Sequence, residues 1–242
     1  MTLRARLERY AAFLRARLSP EGQFGLHLTI GSVALIGSAW LFGGIAEDLL
    51  TGDPLTIVDV IISEWFRVHG TPSLSVRMEE VTLLASTVAV LSLCVAVAIV
   101  LLWKRWWYGL LALVLVVPGG LLLNFLLKVA FARQRPGWSD VNLPGYSFPS
   151  GHTMTATLLY GLLGVFFVLV VKSRWWRAIA VAFVFTIIGG VGFSRISLGA
   201  HYFSDVVAAF AAGAAWLSIC LTAVETLRRH RRAIGVGTGR PS

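Results

Sequence analysis

Six apolar segments, each about twenty residues long, follow one another along this chain with short polar or charged stretches between them. Twenty or so apolar residues is the length that a helix needs to cross the hydrocarbon core of a bilayer. The pattern therefore predicts an all-α, polytopic membrane protein. Its predicted spans are Leu26–Ile45, Val81–Trp103, Trp107–Leu127, Thr153–Val171, Ala178–Phe193 and Val206–Thr222.

Three segments outside these spans carry weaker patterns. Residues 1–25 combine apolar positions at helical spacing with arginines, which predicts an amphipathic cytoplasmic helix that lies on an anionic membrane surface or packs on the protein itself. Residues 47–80 are too polar to cross a bilayer but keep an apolar face, so they predict a short outer interfacial helix or, alternatively, a simple connector. Residues 233–242 are predicted to be a disordered tail. The apolar face of the outer segment consists of Leu55, Val58, Ile62, Trp65 and Phe66.

Charge and composition orient the predicted spans. With the N-terminus in the cytoplasm, the basic clusters at 104–105, 172–177 and 228–232 all fall on the inner side, as the positive-inside rule requires. Of the twelve Asp and Glu residues, only Glu8, Glu21 and Glu225 share that side. The net charge of +9 therefore indicates orientation and contact with anionic lipids, and no nucleic-acid partner is predicted. We expect one domain over residues 1–242, with its catalytic core at 26–223.

Polar residues gather in three short segments at the outer ends of the spans. The segments are Lys128 to Arg135-Pro136, Pro149-Ser150-Gly151-His152, and Ser194-Arg195 followed by His201 and Asp205. Ionisable groups at membrane depth are costly, so their concentration predicts a functional site. Lysine offers a compact charge and arginine a planar fork that can bind two phosphate oxygens. The three cations therefore favour a phosphate pocket.

Local spacing adds detail to this pocket. Ser150 precedes the fourth span and is predicted to cap it, while Gly151 lets backbone N–H groups approach an anion at the positive end of the helix dipole. His201 and Asp205 are four residues apart, which on a helical turn places both on one face. The carboxylate could then hold one ring nitrogen and leave the other free.

Taken in order, the three segments resemble the motifs Lys-x6-Arg-Pro, Pro-Ser-Gly-His and Ser-Arg-x5-His-x3-Asp of the type 2 phosphatidic acid phosphatase superfamily. These are integral membrane lipid phosphatases that share their site with vanadium haloperoxidases. No fixed position departs from the pattern, and the matching stretch covers about a third of the chain, from Lys128 to Asp205. The resemblance implies that His201 is the nucleophile and becomes a phosphohistidine, that Asp205 orients it, and that His152 is the general acid. It also implies no metal or cofactor, and a phosphate bound by Lys128, Arg135, Ser150, Gly151 and Arg195.

The resemblance further implies hydrolysis of a lipid phosphate or diphosphate. Undecaprenyl pyrophosphate is the first substrate to test, followed by phosphatidic acid and phosphatidylglycerol phosphate. The expected partners are that substrate and membrane lipids, and nothing in the sequence predicts an oligomeric state. We expect a bacterial inner membrane location, an extracytoplasmic active site and cytoplasmic termini.

Several alternatives stay open at this point. The same phosphohistidine would serve a phosphotransferase, and a lipid-binding or transport protein would keep the fold without catalysis. A zinc site of His152, His201 and Asp205 is disfavoured because converging cations repel a divalent ion. Arg133, outside the motif, is interpreted as an arginine that snorkels to the interface. Asn124 either orients Lys128 or packs between helices, and Pro118-Gly119-Gly120 predicts a kink or a hinge.

Overall fold

A computed structural model of this chain describes residues 26–52, 54–138 and 145–237, and it contains helices and no strands over those residues. The predicted amphipathic helix at 1–25 lies outside the described residues. The elements are α1 (Leu26–Thr51), α2 (Pro54–His69), α3 (Pro72–Thr82), a 3-10 turn (Leu83–Ala85), α4 (Thr87–Trp103), α5 (Trp107–Phe131), α6 (Gly151–Val170), α7 (Arg174–Ser197) and α8 (Phe203–Gly237).

Within that part of the chain, six helical stretches are long and apolar enough to cross a membrane, which confirms the predicted six-span architecture. Several extend further than predicted towards one end of the bundle. α5 continues through Lys128 to Phe131, and α7 continues through Arg195 to Ser197. A hydropathy pattern ends at the first ionisable residue, whereas the backbone stays helical because these side chains point into the protein.

α8 extends far beyond its predicted end at Thr222. It remains helical to Gly237, so the prediction of a disordered tail is wrong for residues 233–237. Near the predicted end, Glu225 accepts hydrogen bonds from Arg228 at 2.8 Å and Arg229 at 2.7 Å. Such pairs three and four residues apart stabilise an exposed helix.

The outer segment differs from the single interfacial helix that the sequence predicts. It forms two helices, α2 and α3, which are separated at Gly70, and α3 joins α4 through the 3-10 turn to make one membrane-length stretch. The buried face of α2 consists of Asp59, Ser63 and Phe66, whereas Val58 and Trp65 of the predicted apolar face are exposed. A polar face is buried because α2 packs against α7 and α8, which carry the site.

α6 is the most buried of the six spans and contacts α5, α7 and α8. Glycines let these neighbours approach closely: a Cβ on Gly120 of α5 would lie 2.2 Å from Leu158, and one on Gly119 would lie 2.8 Å from Trp216 of α8. Pro118 sits inside α5 without ending it. The Trp216 indole donates to the Leu115 carbonyl at 3.1 Å, on the turn that the proline loosens.

Candidate active site

One end of the bundle collects all three sequence motifs. The end of α5 supplies Lys128, the first turn of α6 supplies His152, the end of α7 supplies Arg195 and the start of α8 supplies Asp205. Because successive spans alternate in direction, these four helix ends meet. His152 interacts electrostatically with Lys128, Arg135, Arg195 and His201, so these five predicted residues lie close together.

His201 lies in the short turn between α7 and α8. Gly199 takes a left-handed conformation there, with φ of 65°, and the His201 amide donates to the Arg195 carbonyl at 3.1 Å. Nδ1 of the ring lies 3.4 Å from Oδ2 of Asp205, within ion-pair distance but without hydrogen-bond geometry. Nε2 lies 3.3 Å from Nη1 of Arg135. With Nδ1 towards a carboxylate and Nε2 towards a cation, the geometry assigns the proton to Nδ1 and the lone pair to Nε2.

The environment of His201 keeps the ring neutral. Its side chain is almost completely buried. Burial, reinforced by Arg135 and Lys128 and opposed by Asp205, lowers the pKa of His201 from 6.5 to about 4. At neutral pH the Nε2 lone pair is therefore available to an electrophile.

Asp205 is held through both carboxylate oxygens. Oδ1 accepts from Nη1 of Arg133 at 2.7 Å, and Oδ2 accepts from the Tyr202 amide at 2.9 Å while it faces His201. The side chain is completely buried. Its two hydrogen bonds leave the carboxylate little freedom to rotate, so the orientation of the imidazole is set by a fixed partner.

Lys128 and Arg135 converge on the same backbone carbonyl. Nζ of Lys128 donates to the Tyr146 oxygen at 2.6 Å, and Nη2 of Arg135 donates to it at 3.2 Å. Arg135 also donates to Gly145 at 3.1 Å and Ala200 at 2.8 Å. Burial lowers the pKa of Arg135 from 12.5, and the side chain remains a cation at neutral pH. Both cations are thus anchored to the loop before α6, and Arg135 is also anchored to the turn that carries His201.

Arg195 is the most deeply buried of the three cations, with 4% of its surface exposed. Nη1 lies 3.5 Å from the Thr82 hydroxyl at the end of α3, and that hydroxyl is 2.6 Å from the hydroxyl of Ser194. Nε has no hydrogen-bond partner among the described residues. A buried guanidinium nitrogen without a partner is costly in a site that does not bind an anion.

The Pro-Ser-Gly-His segment begins α6 but is not capped as predicted. Ser150 stands at the N-cap position, yet its hydroxyl accepts from Thr153 at 3.1 Å instead of from a backbone amide. Its own amide donates to the Asp205 carbonyl at 3.0 Å. The first amides of α6, at the positive end of the helix, consequently have no side-chain cap. A Cβ on Gly151 would lie 3.3 Å from Asn124 Oδ1 and 3.8 Å from Lys128 Cε, so any side chain there would crowd the pocket.

Asn124 holds this segment and does not orient Lys128. Its Nδ2 lies 3.4 Å from both the Pro149 carbonyl and the Met154 sulfur. Behind the segment, the completely buried ring of Phe148 packs against Phe42 and Phe131, with centroids 5.8 and 4.8 Å away. The loop is therefore fixed from the apolar side as well.

Arg133 is the residue that sequence reasoning misjudged most clearly. The predicted snorkelling is wrong: only 12% of its side chain is exposed, and Nη1 donates to Asp205 and to the Ser204 hydroxyl, each at 2.7 Å. Nη2 donates to Asp59 of α2 at 2.7 Å. Although burial opposes the charged form, Asp205 and Asp59 raise the pKa of Arg133 above its ordinary value.

Asp59 is the second residue that sequence reasoning missed. It is 1% exposed and accepts hydrogen bonds from the Ser204 amide at 2.8 Å and from the Ser204 hydroxyl, in addition to Arg133. The available signal was a carboxylate inside the apolar run of the outer segment. Buried carboxylates are almost always paired, so a buried Asp59 predicts a cationic partner.

Trp138, in the loop after α5, links the pocket to α2. Its indole donates to the Ser63 hydroxyl at 2.7 Å, and its ring lies against Gly199, where a Cβ would be only 2.8 Å away. Leu143 of the same loop lies outside the described residues, and Tyr146 is 38% exposed. Across the described ranges, no three His, Cys, Asp or Glu side chains converge as they would around a metal ion.

Comparison with known proteins gives three informative similarities. Residues 90–229 match the PAP2 superfamily. The chain is 30% identical over 200 residues to phosphatidylglycerophosphatase B of Bacillus subtilis, covering 81% of this chain and 97% of that protein. It is 37% identical over 133 residues to a lipid A 1-phosphatase of Rhizobium johnstonii, and this match covers 50% of this chain and 49% of that protein.

A solved structure is also similar. The crystal structure of a transmembrane PAP2-type phosphatidylglycerolphosphate phosphatase from Bacillus subtilis superposes with a TM-score of 0.72 at 28% sequence identity. The match covers 79% of this chain and 96% of that one. Most of this chain therefore shares its fold with an integral membrane protein.

Proposed function

This chain belongs to the PAP2 superfamily of membrane phosphatases, and from that premise we propose that it hydrolyses a lipid phosphate or diphosphate through a phosphohistidine, without a metal ion. One observation carries the proposal: buried His201 turns Nδ1 to a fixed carboxylate and Nε2 to Arg135. Such an imidazole has one nitrogen oriented by its partner and the other ready to attack. The cations around it suit an oxyanion.

The phosphate would bind to Lys128, Arg135 and Arg195, to the Ser150 hydroxyl and to the Gly151 amide. Fixed cations and backbone N–H groups stabilise the charge that develops on phosphoryl oxygens, which is the largest catalytic contribution expected without a metal. Arg195 supports this role because its buried Nε has no partner among the described residues. Phosphate oxygens would replace the Tyr146 carbonyl as acceptors for Lys128 and Arg135.

In the first half-reaction, the Nε2 lone pair of His201 forms a bond to phosphorus. The bond between phosphorus and the leaving oxygen breaks, and its electron pair departs with that oxygen, which takes a proton from His152. Asp205 stabilises the positive charge that the imidazole acquires, as a carboxylate does beside a catalytic histidine.

In the second half-reaction, water attacks the phosphohistidine. His152, now neutral, accepts a proton from the water as its oxygen bonds to phosphorus. The nitrogen–phosphorus bond breaks, its electron pair returns to Nε2, and inorganic phosphate leaves. Both histidines are then in their starting states.

Two lipids lead the list of substrates. Undecaprenyl pyrophosphate is the first expectation from the motif resemblance. The relative that this chain matches over nearly its whole length is named a phosphatidylglycerophosphatase, which favours phosphatidylglycerol phosphate. We therefore place that lipid first, undecaprenyl pyrophosphate second and phosphatidic acid third.

The arrangement of charge supports an extracytoplasmic site in a bacterial inner membrane. The basic segments 104–105, 172–177 and 228–232 lie at the end of the bundle opposite to the pocket, and Arg105, Arg228 and Arg232 line one cavity there. The positive-inside rule places that end in the cytoplasm, together with both termini.

The test is phosphate release by the detergent-purified protein in excess EDTA. The three lipids are supplied in parallel, and His201→Gln is the inactive control, with its unfolding temperature checked against the wild type. Release that persists in EDTA and disappears in the variant is the expected result. No release from any lipid, release that needs a divalent ion, or phosphate transfer only to an added alcohol would overturn the proposal.

A further inference from the structure

We propose that Asp59, on the outer helix α2, is a positioning residue for this reaction: by sharing Arg133 with Asp205, it preserves the negative charge that Asp205 presents to His201. The proposal rests on the proposed function of the pocket. It is carried by the contacts of α2, which belongs to none of the three motifs.

Asp59, Arg133, Asp205 and His201 form a line, and the charges of its first three members alternate. Asp59 and Asp205 each accept from one nitrogen of Arg133 at 2.7 Å, and the other oxygen of Asp205 faces Nδ1 of His201 at 3.4 Å. The exposed fractions of the Asp59, Arg133 and Asp205 side chains are 1%, 12% and 0%. Water therefore screens these charges poorly, and their sum matters at His201.

The sum shows what Asp59 contributes. Arg133 and Asp205 alone would make a neutral pair, and the imidazole would face little net negative charge. With Asp59 included, the cluster carries one net negative charge, as a single unpaired carboxylate would. Asp59 thus offsets the guanidinium that fixes Asp205 in place.

The other charged groups make this offset important. Those that interact with His201 are Arg135 from the loop before α6, Lys128 from α5, His152 from α6 and Asp205 from α8. Arg135 and Lys128 are cations that oppose a positive imidazole. The charge that stabilises a positive imidazole comes from Asp205. If Arg133 cancelled that charge, nothing would oppose the two cations.

The effect is largest during the chemical step. When Nε2 bonds to phosphorus, the ring becomes positive, and the line from Asp59 to His201 then alternates in charge throughout. An interaction that strengthens in the transition state raises kcat and has little effect on substrate binding. Loss of Asp59 should therefore lower kcat and leave KM nearly unchanged.

A purely structural role has to be separated from this one. Asp59 also accepts from the amide and hydroxyl of Ser204, in the first turn of α8. Asp59→Asn has the same shape and keeps an oxygen for the Ser204 amide, so it removes the charge with the least disturbance. Glu64→Gln is the matched control, because Glu64 lies on the same helix, is half exposed and pairs with Arg67.

The decisive comparison is between Asp59→Asn and the double variant Asp59→Asn/Arg133→Gln. Both keep Asp205, but only the double variant restores its single net charge. We expect kcat of Asp59→Asn to fall about tenfold to a hundredfold, the range found when hydrogen-bond partners of metal-binding residues are mutated. Glu64→Gln should match the wild type, and the double variant should exceed Asp59→Asn. A structural role predicts the reverse order, because the double variant loses more hydrogen bonds.

A binding measurement tests the same charge balance without lipid turnover. Orthovanadate can bond to Nε2 in a five-coordinate geometry that mimics phosphoryl transfer, whereas inorganic phosphate reports ground-state binding. Calorimetric titration should show vanadate affinity about tenfold weaker in Asp59→Asn and recovered in the double variant, with phosphate affinity unchanged. Equal weakening for both anions, or a double variant weaker than Asp59→Asn, would overturn the role of Asp59. If no lipid releases phosphate, the proposed function fails, while this comparison still decides the inference.

Discussion

Part of the destabilisation of this protein by acid should come from the side chain of His201. Burial lowers its pKa from 6.5 to about 4, with Arg135 and Lys128 reinforcing that shift and Asp205 opposing it. In the unfolded chain the same imidazole titrates near its ordinary value. Between these pH values the unfolded chain binds a proton that the folded protein does not. The contribution to stability is therefore complete above about pH 6.5 and is lost as the pH falls towards 4.

The magnitude follows from the two pKa values. At 1.36 kcal/mol per pH unit, the interval from 6.5 to about 4 corresponds to about 3 kcal/mol of unfolding free energy. Typical stabilities are about 5–15 kcal/mol, so this is a measurable share. Carboxylates elsewhere in the protein also respond to acid, and the prediction therefore concerns the difference between two variants.

The assay is reversible unfolding in mixed detergent micelles at about pH 7 and about pH 4.5, for wild type and His201→Gln. We expect the wild type to lose about 2–3 kcal/mol more than the variant over that interval. His230→Gln is the control, because His230 is exposed on α8 and lies outside the pocket. Equal losses in wild type and His201→Gln would refute the argument that His201 is buried in its neutral form.

Activity offers a second readout of the same side chain. In the proposed mechanism the neutral imidazole is the nucleophile, so the fraction of reactive enzyme should rise with pH through the pKa of His201. We expect the acidic limb of the kcat/KM profile, in which activity falls as the pH falls, to have its midpoint near pH 4. A midpoint near the ordinary histidine value would show that His201 is hydrated in solution.

Two further substitutions test the packing and the cation site. Gly120→Ala should destabilise the protein by about 1–3 kcal/mol, because its Cβ would lie 2.2 Å from Leu158, whose side chain is completely buried. Gly189→Ala has nothing within 4 Å and is the matched control in thermal unfolding; equal stability of the two variants would contradict the packing argument. Arg195→Lys should raise KM for the lipid phosphate about tenfold, since lysine cannot make the paired hydrogen bonds of a guanidinium. Steady-state kinetics with Lys172→Arg as control measures this effect, and an unchanged KM would exclude Arg195 from phosphate binding.

The six spans could be predicted because they depend on a local quantity. Hydropathy summed over about twenty residues is set by bilayer thickness and needs no knowledge of neighbours. The same locality explains the errors at span ends. In the sequence, Lys128 and Arg195 mark the end of an apolar segment. In the bundle, their backbone is still helical and their side chains point inward.

The meeting of the three motifs could also be predicted, since alternating spans bring their ends to the same side. Their detailed contacts could not. Arg135 reaches Ala200, and Asn124 reaches Pro149, through backbone carbonyls that carry no sequence signal. Ser150 was predicted from its residue type to cap α6. A serine hydroxyl can accept from any nearby donor, however, and here it accepts from the Thr153 hydroxyl instead of a backbone amide.

Asp59 and Arg133 show where such reasoning can be extended. Each residue has an ordinary explanation by itself: a carboxylate on an interfacial helix, and an arginine near a span end. These separate explanations fail when the two residues are considered together. α2 presents Asp59 on the face that packs against the bundle, and a buried charge without a partner is strongly destabilising. Arg133 is a cation near the pocket that occupies no fixed position of the three motifs. A carboxylate in an apolar run and a cation beside a motif but outside its fixed positions are therefore better interpreted as a pair, and here that pairing connects the outer helix to Asp205.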